Sequence, residues 1–167
     1  MTEFQMKGEI FMADKVKHVP EGFHAVNAVL VVNGAAQAIE FYKTAFGAKE
    51  RTRLTGPGEK IVHAEMAIGD AVFMVKDEFP EWDDRGPKLT EGSPVRIALY
   101  IEDVDELAKR AVDAGAKILI PVADQFYGDR SGRLADPFGH IWIISTHKED
   151  VSAGEMKRRM DALSKKS

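Results

Sequence analysis

The spacing of apolar residues along this chain changes period several times. From His24 to Gly34, "HAVNAVLVVNG" is rich in β-branched residues and bounded by glycine, which predicts a strand. In the following "AAQAIEFYKTAFG", Ile39, Tyr42 and Phe46 recur at helical spacing, and Gly47 supplies a C-terminal stop. "AKERTRLTG" predicts a second strand, Gly56-Pro57-Gly58 a turn, and "KIVHAEMAIGDAVFMVKDE" a hairpin turning at Gly69-Asp70. "FPEWDDRGPKLTEGSP" concentrates proline, glycine and acids, and is read as a loop and a boundary.

After that loop the order repeats. "PVRIALYIED" predicts a strand, "VDELAKRAVDAGA" a helix with Val104, Leu107, Ala108 and Ala111 on one stripe, "KILIPVADQ" a strand and "GRLADPFGHIWIISTH" a hairpin. "AFGAK" (45–49) is echoed by "DAGAK" (113–117), and Gly69 ahead of one apolar strand is echoed by Gly139 ahead of another. Each half is β-α-β-β-β, an internal duplication of about 70 residues. The tail "SAGEMKRRMDALSKKS" predicts a further helix. Ser152 and Glu155 fit a capping box, and Met156, Met160 and Leu163 line one side, suited to docking on the chain's own domain or on a second subunit. The expected organisation is a flexible leader over 1–21 and one domain over 22–150. That domain divides into module one (22–78), a linker loop (79–93) and module two (94–150), with a C-terminal helix and tail over 151–167.

Strand alternation sorts the side chains between faces. In "PVRIALYIED", Val95, Ile97, Leu99 and Ile101 share a face expected to pack on helices; Arg96, Ala98, Tyr100 and Glu102 share a mixed face. In "KIVHAEMAI", His63 and Glu65 lie opposite Val62, Ala64 and Met66. A sheet with one face on helices and one of mixed polarity can curl into a cup, and such concave surfaces are where small ligands usually bind.

Composition narrows the function classes. With 27 acidic and 23 basic residues the formal net charge is -4, which gives no electrostatic case for a nucleic-acid binder. Cysteine is absent, which removes disulfides and thiolate chemistry and fits a cytoplasmic location. No apolar run approaches the length of a membrane span, and the N-terminal stretch lacks the apolar centre of a signal peptide.

The chemistry-bearing candidates follow from the mixed faces. His63 and Glu65 form an H-x-E pair that fits a general base with an orienting carboxylate, or two ligands of a displaced metal site. The bland reading of the pair is an exposed strand face. Arg96 and Tyr100 are candidates to hold a ligand carboxylate or phosphate and to donate or stack; a solvent-directed arginine is the alternative. Tyr127 and Arg130, in the Gly-flanked "YGDRSGR", are candidates to reach the cup mouth, with Asp129 and Arg130 expected to pair and fix that loop. Trp82 reads as a hydrophobic anchor for the linker. His140 and His147, flanking the last strand, are not counted among the catalysts. Asp136-Pro137-Phe138-Gly139 fits a type I turn.

The residues "AIEFYKTAFGAKE", "IEDVDELAKRAVDAGAK" and "DPFGHIW", set in paired β-α-β-β-β modules, resemble the vicinal oxygen chelate superfamily. That superfamily includes glyoxalases, bleomycin-resistance proteins and extradiol dioxygenases. "YGDRSGRLADPFGH" followed by "THKED" is similar to its PhnB-like branch. The resemblance implies an α+β fold: two βαβββ modules forming a cupped mixed sheet, with the C-terminal helix added. It also implies a small-molecule ligand or substrate, bound in a cup formed within one chain or across a dimer, and a homodimer is expected; charge and hydropathy leave neither nucleic acid nor membrane as partner. The family's metal enzymes take His, Gln or Glu ligands from the first and last strands of each module. Those positions fall here on Asn27 and Arg96, near Phe73 or Met74, and near Ile143 or Ile144. Zinc, nickel or iron needs several converging N, O or S donors, so no metal and no other cofactor is expected, and with the metal goes the standard glyoxalase I reaction. Asn27 then joins Arg96, Tyr100, Tyr127 and Arg130 as a ligand-binding candidate. The leading expectation is a small-molecule-binding protein of unassigned reaction, with His63 and Glu65 as acid and base if it is an enzyme. The alternatives are a drug- or metabolite-sequestering binder and a metal-dependent lyase or dioxygenase with displaced ligands.

Overall fold

In the computed structural model, residues 16–88 and 91–165 are described; the first 15 residues of the expected leader lie outside them. The elements run β1 (Val29–Val32), α1 (Ala35–Phe46), β2 (Lys49–Thr55), β3 (Ile61–Ile68), β4 (Ala71–Asp77), β5 (Arg96–Tyr100), α2 (Val104–Asp113), β6 (Lys117–Asp124), β7 (Asp129–Ala135), β8 (Ile141–His147) and α3 (Ala153–Ser164). The two modules have the same topology. The first sheet has the order β1-β4-β3-β2 and the second β5-β8-β7-β6. In each, the first strand pairs parallel with the last and the remaining pairs are antiparallel.

Helix α1 forms where apolar residues recur at helical spacing, and Ala38, Ile39, Tyr42, Ala45 and Phe46 are all buried. It ends because Gly47 adopts a left-handed backbone that returns N–H groups to the last turn's carbonyls, a conformation that favours glycine. Its start has no side-chain cap of its own. Instead the Asp77 carboxylate, at the end of β4, accepts from the N–H groups of Gly34 (3.1 Å) and Ala35 (2.8 Å), and from that of Ile61 (2.7 Å). In module two Asp103 caps α2 through the Glu106 N–H, and Thr146 Oγ1 accepts from the Val104 N–H at 2.9 Å.

The helix-covered faces of both sheets turn towards one shared core. Trp142 from β8 packs edge-on against Phe46 of α1 at 4.7 Å and approaches Phe73 of β4 at 6.1 Å. Helix α1 packs against α2. A buried carboxylate ties the modules together. Asp136, 2% exposed, accepts from the Tyr42 hydroxyl (2.8 Å), the Trp142 indole N–H (3.0 Å) and the Phe138 and His140 N–H groups (2.9 Å each). Burial and the adjacent Asp136 push the Tyr42 hydroxyl well above its ordinary pKa. The Asp136–Gly139 turn forms as expected, with the Gly139 N–H on the Asp136 carbonyl. With the covered faces turned inwards, the other face of each sheet, here called the open face, lies on the outside.

Several local expectations change. The first strand begins at Val29 rather than His24, because Asn27 and His24 close a turn on each other's polar groups. Val95 precedes β5 and is exposed, so it does not join Ile97, Leu99 and Ile101 against the core. The "DRS" segment is part of β7, not a loop ahead of the hairpin. Asp129 and Arg130 do not pair: consecutive strand residues point to opposite faces. Helix α3 is capped by Ser152, which accepts from the Glu155 N–H. It is held by Arg159, which pairs with Glu149 through both nitrogens (2.8 and 2.9 Å), while Met160 and Leu163 stay exposed.

Candidate functional site

On the first sheet, the register sets Leu54 opposite His63, Glu65 opposite Met74 and Met74 beside Val29, so these side chains share the open face. His63 Nε2 lies 3.5 Å from one Glu65 oxygen, and Arg51 lies 3.7 Å from the other. This is a loose charge cluster, at the limit of hydrogen bonding. Lys76 continues the same face and is covered by the linker, where Trp82 stacks on Phe79 at 4.9 Å and Asp84 pairs with Lys76. Trp82 thus anchors the linker, although its ring remains largely exposed.

On the second sheet, Arg96 pairs with Ile141, Ala98 with Ile143 and Tyr100 with Ser145; Ser131 and Asp129 follow across β7. A connected polar network lies at the far end of this face. The Asp129 carboxylate, 5% exposed, accepts from the Tyr100 hydroxyl and from His147 Nδ1, both at 2.7 Å. His147 Nε2 meets Asp150 at 3.0 Å, and the Ser145 hydroxyl donates to that of Ser131 at 2.8 Å. The hydrogen bond to Asp129, followed by that to Asp150, raises the His147 pKa above the ordinary imidazole value. The same Asp129 bond raises Tyr100, and Tyr127 lies near enough to add to that rise. His147, which sequence reading passed over, is therefore better held than His63. Its signal was available in the alternation that puts Ser145 and His147 on the face of Tyr100.

The remaining candidates separate. Asn27 spends its amide on His24, at the edge of a cleft of about 200 Å³ lined by Leu30, Phe73, Ile97, Leu99 and Trp142. The Arg96 guanidinium turns back to the carbonyls of Ser93 and Val95. Tyr127 sits edge-on to Phe126 at 5.2 Å in the turn before β7. Arg130 faces away from the open face, bonded to Asp105 through two nitrogens (2.6 and 2.8 Å) and to Asp124 (3.1 Å), so it does not reach a cup mouth. The structure keeps His63 with Glu65 on the first sheet and Tyr100 apart from them on the second.

Comparison with known proteins agrees with this architecture. Residues 23–144 match the family model described as the glyoxalase/bleomycin resistance protein/dioxygenase superfamily. The chain belongs to that superfamily. Rv0887c of Mycobacterium tuberculosis is 38% identical over 141 residues, covering 83% of each chain. At5g48480 of Arabidopsis thaliana is 32% identical over 125 residues, 69% of this chain and 73% of that one. Its crystal structure superposes with a TM-score of 0.60, at 29% identity over 74% of this chain and 98% of that one. A PhnB protein from Bacillus cereus shares the fold, with a TM-score of 0.56 at 16% identity over 74% of this chain and 99% of that one.

The superfamily's metal enzymes raise the question of whether these residues fit an ion. The strand positions that would carry ligands present Met74 and Ile143 to the open faces, while Phe73 and Ile144 point into the core. Arg96 brings a positive charge, and Asn27 is engaged with His24. Among the described residues, no three His, Asp or Glu side chains converge as a metal site. The donors do not fit the family's metal. Also among the described residues, no helix is long and apolar enough to cross a membrane.

Proposed function

We propose that this member of the superfamily binds a small molecule on the open faces of its sheets, brought together when two copies pair, and that it does so without the family's metal. One observation carries the reading. Val29 and Leu54 on the first sheet, and Tyr100 and Ile120 on the second, stand exposed on the open faces, which the linker covers only in part, at Lys76, among the described residues. Exposed apolar surface interleaved with polar groups marks ligand or partner contact. A second copy would set a first-sheet face, with His63 and Glu65, against a second-sheet face, with Arg96 and Tyr100. The absence of cysteine fits a reducing compartment, and the cytoplasm is the location we propose.

Light scattering and a thermal-shift ligand screen test this reading. The expected result is a mass twice the 18.5 kDa of one chain, with compounds that raise the melting temperature of wild type but not of Arg96→Ala or His63→Ala. A single-chain mass with no responding compound would overturn it. A stoichiometric metal ion lost on His63→Ala would instead overturn the metal-free part of the reading in favour of a displaced metal site.

A further inference from the structure

The Tyr100–Asp129–His147–Asp150 network goes beyond ligand binding as such. Asp129 is almost wholly buried and holds His147 by Nδ1, leaving Nε2 as the nitrogen that faces outwards. The partner there, Asp150, has a fully exposed side chain on the segment before α3, so little holds it in place. When Asp150 swings away, a neutral imidazole keeps its Nδ1 proton on Asp129 and presents the Nε2 lone pair to the open face. A buried carboxylate behind an imidazole fixes the tautomer and stabilises the imidazolium that forms on protonation. The Tyr100 ring, 61% exposed, is pinned through its hydroxyl to the same Asp129. The titratable groups facing His147 are Asp129 from β7 and Asp150, and Tyr100 from β5 shares Asp129 with it.

We propose that His147, oriented by Asp129, is a proton-accepting centre for a ligand carrying a weakly acidic hydroxyl, which lies against the Tyr100 ring and displaces Asp150 from Nε2. The step breaks the ligand's O–H bond and forms an N–H bond at Nε2, leaving an oxyanion paired with an imidazolium. A weakly acidic hydroxyl suits the centre because its pKa lies within a few units of imidazole, as an aliphatic alcohol's does not. The bond to Asp129, the larger cause of the raised His147 pKa, acts in the same direction and persists when Asp150 is displaced. The proposal rests on the open faces being the ligand surface.

The test uses 4-nitrophenol, whose anion is coloured and whose neutral form is not. Its ionisation is titrated by absorbance with excess full-length protein, and binding is confirmed by NMR line broadening. In wild type the bound phenol should ionise about one pH unit below the free compound, the effect of a neighbouring opposite charge. His147→Gln should abolish that displacement, Lys109→Gln on the exposed side of α2 should leave it unchanged, and Asp150→Ala should keep it with tighter binding. His147 is half exposed, so the Gln variant should fold, which its unfolding curve checks. Absent binding, bound phenol ionising at its free value, an equal displacement in His147→Gln, or weaker binding in Asp150→Ala would each overturn the proposal. A dimer that binds other compounds but leaves 4-nitrophenol's ionisation untouched refutes this inference alone. A monomer with no responding compound refutes the open-face reading.

Discussion

Replacing Asp136 with alanine removes the acceptor for four donors at once: the Tyr42 hydroxyl, the Trp142 indole N–H and the N–H groups of Phe138 and His140. Tyr42 is wholly buried and Trp142 nearly so, which leaves their donors with no water to turn to. A buried donor stripped of its partner costs about 1–3 kcal/mol, so these two alone account for ~2–6 kcal/mol. The two N–H groups sit in a part-buried turn that water reaches more readily than the core, and they add less. The expected loss for Asp136→Ala is therefore ~3–5 kcal/mol, a large part of the 5–15 kcal/mol by which domains are typically stable. Tyr42→Phe removes one donor but leaves Asp136 three others, and should cost about 1–2 kcal/mol. Urea unfolding followed by tryptophan fluorescence measures both, with a double-mutant cycle to Asp136→Asn testing the coupling. If Asp136→Ala falls within about 1 kcal/mol of wild type with an unchanged m-value, the carboxylate does not join the modules as described.

Two further predictions concern the segment beside the His147 network. Gly128 has a φ of +100°, and a Cβ there would run into the Glu149 carbonyl and the Val151 side chain. Gly128→Ala should destabilise by about 2–4 kcal/mol in the same unfolding assay, through backbone strain and overpacking. His147 supplies a pH dependence with a definite sign. Its folded pKa lies above the unfolded value, because the bond to Asp129 and then that to Asp150 favour the imidazolium. Its contribution to stability is thus full below the unfolded pKa of about 6.5 and disappears as pH rises through the folded value. Melting temperatures across that window should fall more steeply with pH for wild type than for His147→Gln; parallel curves would exclude the linkage.

The elements were legible because their signals are local. Helical spacing with a glycine stop placed α1 and α2, and the duplicated β-α-β-β-β order placed the strands around them. What escaped the sequence depends on contacts between distant residues. The cap on α1 comes from Asp77, 42 residues away from Ala35 in the chain, and no local motif at Gly34 announces it. The way the modules pack depends on Trp142 meeting Phe46 across two modules that each look self-sufficient. The candidate site was half legible. Alternation correctly put Arg96 with Tyr100, and His63 with Glu65. Reading "YGDRSGR" as a loop lost the alternation just where it mattered. Once Asp129–Ser131 is strand, Asp129 falls opposite His147 and beside Tyr100, while Arg130 goes to the other face with Asp105 and Asp124. The residue-by-residue resemblance was informative in a negative sense, since apolar side chains stand where relatives would present metal ligands.

NMR chemical-shift mapping of the full-length protein against a fragment library tests the central claim most directly. If the ligand surface is the pair of open faces, perturbations from a binding fragment will centre on Val29, His63 and Met74 of the first sheet and on Ala98, Tyr100, Ile143 and His147 of the second. Perturbations confined to the cleft between the sheets at Leu30, Phe73, Leu99 and Trp142, with the open faces silent, would contradict it.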